Sequence, residues 1–257
     1  MKNTIPSARI IAAYLLVLTL AASAAWADFS YPDFQSIAGL NLTGPTAQVG
    51  DRVRIIPAQT YQIGAFWRQG LQSVGQGFST TFEFQATNIG GALDAAGNHG
   101  FDRITFTLQT IGDNIPDTAG YDPIAFPRLK IWFDAYKDIG GPDFSSSTVW
   151  VGLNGVVLTQ ADAEALGIIW RDEAIHQVSI NYAQQTLGVV VDGTQLVSLA
   201  GVDLAGSGLS NAYAGFQANT GAVYANEDIL SWSFQSIPEP ATILFLSLGG
   251  LLITKRR

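Results

Sequence analysis

Alternation with a period of two runs through most of this chain and restricts what it can fold into. Residues 78–84 read FSTTFEF, so Phe78, Thr80, Phe82 and Phe84 point one way and Ser79, Thr81 and Glu83 the other. That is the pattern of a strand with one buried face. Comparable runs occupy 103–109, 129–136, 148–153, 176–182, 187–191, 213–218 and 229–234, separated by turns rich in Gly, Asn and Asp. Asp192-Gly193 between two apolar runs specifies a tight hairpin, whose turn needs the positive φ that Gly tolerates. Only 159–166 has helical character, with Thr159 placed to cap it and Gly167 to end it. Many short strands and almost no helix predict an all-β sandwich of antiparallel sheets. With no internal repeat or low-complexity linker, this is one domain.

The two ends stand outside that domain. Lys2 and Arg9 precede an apolar run over 10–22, and Ala25-Trp26-Ala27 supplies the small residues of a cleavage site, so 1–27 reads as a signal peptide removed by signal peptidase before Asp28. Residues 237–257 read IPEPATILFLSLGGLLITKRR: a Pro-Glu-Pro element, a short apolar run and a basic end. Such a run is short for a bilayer-spanning helix, which needs about 17–25 residues, yet the basic end holds it at the inner membrane. This tail resembles the PEP-CTERM sorting signal of Gram-negative bacteria that make exopolysaccharide. The resemblance implies transient anchoring, handling by an exosortase, and release to the cell surface or extracellular matrix; permanent anchoring is the alternative.

Between these signals, over 28–236, 8 basic and 20 acidic residues give a net charge of −12. Nucleic-acid binding requires clustered Lys and Arg and is excluded, whereas a strongly acidic exported domain attracts divalent cations. The chain has no cysteine, which rules out disulfides, thiol catalysis and Cys-based metal sites. Stability must come from the core.

The segment 130–144, KIWFDAYKDIGGPDF, ends a β-patterned run in Asp134, Asp138 and Asp143. Carboxylates spaced along an irregular loop, with a main-chain carbonyl such as that of Tyr136, supply the oxygen ligands that calcium takes. A polar turn that places its acids in water is the other reading. Two long irregular stretches, 90–100 and 112–127, exceed ordinary hairpin loops and are suited to recognition.

Several segments together resemble the L-type lectins, which include the legume lectins and bacterial secreted relatives. They are FSTTFEF at Phe78, FDRITFTLQ at Phe101, IWFDAYKD at Ile131, VGLNG at Val151, AGFQANTG at Ala214 and ILSWSF at Ile229, in family order. The resemblance implies a concanavalin-like jelly-roll of a flat back sheet and a curved front sheet. It places Asp102 as the carboxylate that accepts hydrogen bonds from sugar hydroxyls; an ordinary solvated strand-end acid is its alternative. The family usually has Gly where Arg103 follows. In many members the peptide before this Asp is cis, and a cis Phe101–Asp102 bond would need support from the metal loop.

The family's calcium loop maps onto Asp134, Tyr136, Asp138 and Asp143, with Asp138 replacing an Asn and so lacking the amide donor offered to a sugar. Legume members hold a second, transition metal beside the calcium, through a Glu and a His. Here those places are Trp132 and Trp150, so the resemblance implies no second metal and aromatic packing instead. Gly120 and Tyr121 correspond to the glycine-rich sugar loop; Tyr121 either stacks on a pyranose or packs on the sheet. His99 would be a polar rim residue and His176 a strand residue, neither with a Ser, Cys or metal-ligand partner at a useful spacing.

Related glucanases on this fold carry Glu-x-Asp-x-x-Glu on one strand, and that run is absent, so the chain is not expected to be a glycoside hydrolase. The reading is an exported, calcium-dependent carbohydrate-binding protein whose partner is a saccharide or exopolysaccharide. Its rival is a structural or adhesive matrix protein with a degenerate sugar site.

Overall fold

A computed structural model describes residues 28–116 and 126–237. The signal segment 1–27, the tail 238–257, and Gly120 and Tyr121 lie outside the described residues. Sixteen strands follow in order: β1 Phe29–Tyr31, β2 Leu40–Thr43, β3 Ala47–Val49, β4 Arg52–Ile56, β5 Ile63–Arg68, β6 Gln72–Ser73, β7 Gly77–Gly91 and β8 Arg103–Gln109. Then come β9 Arg128–Asp134, β10 Thr148–Leu153, β11 Val156–Asp162, β12 Ile175–Ala183, β13 Thr186–Val191, β14 Thr194–Ala200, β15 Asn211–Asn219 and β16 Val223–Ser236.

They form two antiparallel sheets. The back sheet runs β14-β13-β12-β7-β16-β4-β3 with β1 beside β16; the front sheet runs β11-β10-β9-β8-β15-β5-β2 with β6 beside β15. The alternation read at 78–84 holds: Phe78, Thr80, Phe82 and Phe84 are buried on β7 while Thr81 is exposed. Opposite them the front sheet supplies Ile104, Phe106, Phe133 and Phe216, all fully buried. Phe82 and Phe216 meet edge to face at 4.8 Å, and Trp232 packs against Phe29 at 4.6 Å and Phe216 at 5.0 Å. Each such side chain contributes about 1.5–3 kcal/mol through burial, which is how a cysteine-free chain holds two sheets together. The buried Trp232 indole N–H is satisfied by the Thr80 hydroxyl at 3.0 Å, and that hydroxyl donates in turn to the Ser233 carbonyl at 2.7 Å. Thr80 on the apolar face is therefore an internal polar anchor.

The hairpin at Asp192-Gly193 joins β13 to β14 with positive φ at both residues, 49° and 77°. The helix expected over 159–166 is corrected: 156–162 is strand β11, paired along its length with β10. Only Glu164–Leu166 turns helically, as one 3₁₀ turn closed by Gly167 at φ 80°. A helix of that length is marginal by itself, and the open edge of β10 offers the same backbone groups a full ladder.

Candidate functional site

The front sheet delivers the site residues to one end of the sandwich. Cross-strand register sets Asp134, the last residue of β9, opposite Arg103, the first of β8, and Arg103 opposite Asn219, the last of β15. Asp102 precedes that row. The loop carrying it presses against the chain after Asp134: a Cβ at Gly100 would lie 1.9 Å from the Ala135 carbonyl oxygen, so only glycine permits this approach. The Ala135 N–H donates to the Asp102 carbonyl at 3.4 Å. The Phe101–Asp102 peptide is trans, unlike the cis bond of many L-type lectins.

Asp102 is half-buried, and its Oδ2 accepts from the Asn219 side-chain amide at 3.2 Å. The Arg103 Nε–H donates to the Asn219 side-chain oxygen at 3.1 Å. Asn219 thus positions the acid and its neighbour at once. It lies inside the AGFQANTG segment, but its role follows only from the β8–β15 pairing, which sequence spacing does not give.

The Asp134 Oδ1 accepts from the Tyr136 N–H at 3.0 Å, and the Asp143 Oδ2 accepts from the Asp138 N–H at 3.1 Å. Burial pushes the Asp134 carboxyl well above the ordinary range; the Tyr136 N–H and the Arg103 charge oppose this, and Asp143 and Asp102 add to it. Burial likewise raises Asp143, with the Asp138 N–H working against it and the Asp138 charge with it. Asp102, Asp134, Asp138 and Asp143 therefore bear on one another, and Arg103 opposes their charge. Among the described residues, no three carboxylate or imidazole side chains stand close enough as placed to share one ion. In donor chemistry the set fits a hard cation: all oxygen, partly desolvated, mutually repelling.

Two acids at this end were not singled out by sequence. Asp94, in the loop after β7, accepts from the N–H groups of Ala96 (2.9 Å), Asn98 (2.8 Å) and Lys137 (3.3 Å) and from the Ser146 hydroxyl. Burial alone would raise its carboxyl, but these bonds outweigh burial and hold it below the ordinary range. It ties the 92–100 loop to both ends of the 137–146 loop. Glu227, on β16, is fully buried with neither carboxyl oxygen hydrogen-bonded. Burial pushes it well above the carboxylate range, Asp102, Asp228 and Asp134 push it further, and Arg103 opposes them. Both acids occur in segments whose pattern predicts strand or loop and nothing more.

Trp132 and Trp150 face each other across β9 and β10, their rings parallel to within 4° with centroids 5.9 Å apart. His99 is exposed. His176 has more partners than its spacing suggests: its Nδ1 lies 2.8 Å from Asp192 and its Nε2 3.2 Å from Asp172, with Trp170 edge-on. It clamps the hairpin turn far from Asp102 in sequence and belongs to the packing of the back sheet.

The sequence profile of the legume lectin domain matches residues 27–244. Among solved structures, the chain is similar to the metal-free lectin I-B4 of Griffonia simplicifolia, with 18% identity, TM-score 0.66, and coverage of 82% of this chain and 99% of that one. It is similar to the exoplasmic/lumenal domain of VIP36 in its calcium- and mannose-bound form, with 18% identity, TM-score 0.65, and coverage of 79% and 86%. It is also similar to a Bauhinia forficata lectin in complex with GalNAc, with 18% identity, TM-score 0.65, and coverage of 81% and 97%. No curated protein matches in sequence.

Proposed function

The chain belongs to the legume lectin domain family, and on that premise we propose that it is a calcium-dependent carbohydrate-binding protein, exported and retained at the cell surface or in the exopolysaccharide matrix of a Gram-negative bacterium. The observation that carries this is the half-buried Asp102 carboxylate, held by Asn219 at the mouth of the loops that also carry Asp134 and Asp143. A carboxylate fixed in that way is an acceptor for sugar hydroxyls, and an ionised acceptor makes stronger hydrogen bonds than a neutral one. Asp138 joins it in the sugar site, and Gly120 and Tyr121, which lie outside the described residues, belong to the same proposed set.

Asp134, Asp138, Asp143 and the Tyr136 carbonyl would hold the calcium. When bound, it supplies positive charge against the crowded acids and fixes the loops around Asp102. The residues themselves do the recognition: Asn219 orients Asp102, Arg103 anchors Asn219, and Asp94 holds the two outer loops together. The Trp132–Trp150 pair takes the place of a second metal site. Catalysis is not part of this reading, because the outward positions of β9 beside Asp134 are Trp132 and Lys130 and the strand lacks the carboxylate run of the related glucanases. Export through the 1–27 signal and exosortase processing of the tail complete the proposal.

A second reading has one specific observation in its favour. Arg103 stands where a metal's charge would act on Asp134 and Asp143, as expected of a matrix protein whose sugar site has become structural. A glycan screen of the full chain, with calcium and with chelator, separates the two. Calcium-dependent binding that Asp102→Ala abolishes without changing the melting temperature is expected. Glycan binding that survives Asp102→Ala, or no binding with calcium present, transfers the function to the structural reading.

A further inference from the structure

Two residues along β9 from Asp134, the outer face of the front sheet carries a second constellation. Register places Gln160 of β11, Trp150 of β10, Trp132 of β9, Thr105 of β8 and Gln217 of β15 in one cross-strand row. Alternation turns this row away from the core, since Phe133 and Ile104 in the next row are fully buried between the sheets. The row has no charged residue. Its two indoles are parallel, and the Trp132 ring lies over Gly152, where a Cβ would come within 3.0 Å of Cζ3 and 3.1 Å of Cη2. Glycine at 152 thus lets an aromatic plane lie down on the sheet, while Trp132 remains only half-buried.

Beside this plane are two polar atoms that lack partners. Trp150 is 7% exposed, and its indole N–H finds no acceptor. Directly across the strand pair, the buried side-chain carbonyl oxygen of Gln160 finds no donor. Buried polar groups are ordinarily paired, so an unpartnered donor and an unpartnered acceptor on cross-strand neighbours mark this row as suited to a polar ligand. A hydroxyl suits either atom, since it can accept from the Trp150 N–H or donate to the Gln160 oxygen. A carboxylate has no proton to give the Gln160 oxygen, and an ammonium has no lone pair for the indole. A ligand that combines hydroxyls with an apolar C–H face for an indole is a pyranose.

We propose that the Trp132–Trp150–Gln160 row is a second saccharide subsite, for a neutral glycan chain that continues down the front sheet from the Asp102 site. The proposal rests on the saccharide-binding reading above. Trp132 and Asp134 are about 7 Å apart along the strand, roughly the length of one sugar unit, so only an oligosaccharide engages both places.

The test is calorimetric titration of the full chain, with calcium, by two neutral hexasaccharides, cellohexaose and maltohexaose. Wild type, Asp102→Ala, Trp132→Ala and Trp150→Phe are compared, the last keeping an aromatic ring while removing the N–H. Binding of at least one hexasaccharide is expected, weakened about tenfold by either tryptophan change and abolished by Asp102→Ala. If Trp132→Ala lowers the melting temperature, Trp150→Phe alone decides. Hexasaccharide binding that both tryptophan variants keep while Asp102→Ala loses it overturns the second subsite and leaves the Asp102 site standing. Absence of binding by wild type to either hexasaccharide also overturns it.

Discussion

Glu227→Gln should stabilise the protein progressively as pH rises. The side chain is fully buried, neither carboxyl oxygen is hydrogen-bonded, and Asp102, Asp228 and Asp134 all act against its ionisation. Burial therefore holds the native carboxyl in its protonated form well above the ordinary carboxylate range. Below the pKa of the unfolded chain both states carry the proton, and Glu227 adds no pH-dependent cost. Above it the unfolded chain releases its proton while the native state keeps it, so stability falls by about 1.4 kcal/mol per pH unit until the pH passes the native value. Glutamine has the same shape and nothing to release. The difference in unfolding free energy between variant and wild type should thus grow with pH at about that slope above about pH 4. Urea denaturation in chelator from about pH 4 to 7 measures it, and taking the difference cancels the slopes that Asp134 and Asp143 add to both proteins. A difference that stays flat over this range, or a glutamine variant less stable at neutral pH, would refute the claim that this carboxyl is buried and unpartnered.

Three further outcomes are expected. Arg54→Ala should cost about 3 kcal/mol or more in chemical denaturation, because Asp228 is 0% exposed and receives two bonds from Arg54 at 2.8 and 2.9 Å, leaving only Arg52 at 3.7 Å as its counter-ion. Calcium should stabilise the wild type through ligand linkage, by about 2.7 kcal/mol at a hundredfold excess over Kd and with a higher melting temperature, and Asp134→Asn should lose that gain while becoming more stable in chelator; an unchanged calcium response in Asp134→Asn would remove the acid from the ligand set. Mass spectrometry of the extracellular protein should find a new N-terminus at Asp28 and no peptides through 246–257, and peptides from that tail would count against processing.

The strand pattern was legible because each interior face is written in the sequence at period two. Phe78, Phe82 and Phe84 are where alternation puts them, and Arg103–Gln109 and Thr148–Leu153 coincide with the runs read for them. The failure at 159–166 has a definite cause. Thr159 and Gly167 are locally good helix punctuation, but the unpaired edge of β10 rewards a strand with a complete ladder, and no local signal records that an edge is open. The short strands β1 to β6 went unread for the related reason that two to six residues give alternation too little length to show.

The site was legible in its acids and not in what holds them. Asp134, Asp138 and Asp143 stand out because carboxylates at the end of a β run are unusual, whereas Asn219 becomes a partner of Asp102 only through a pairing that spans 117 residues of chain. Asp94 and Glu227 make the same point from opposite sides. Asp94 has its oxygens occupied by four donors and is locked as an anion; Glu227 has none and is held as an acid. Identical chemistry in the sequence thus divides by environment into a staple for the outer loops and a neutral group beneath the inner ones. Arg103, a departure from the family's usual glycine, gains its meaning in the same way: its side chain bonds Asn219 and its charge offsets Asp134, Asp143 and Glu227. A cation bound among these acids would share that task with Arg103, so metal affinity and the position of Arg103 are coupled through the carboxylates both of them serve.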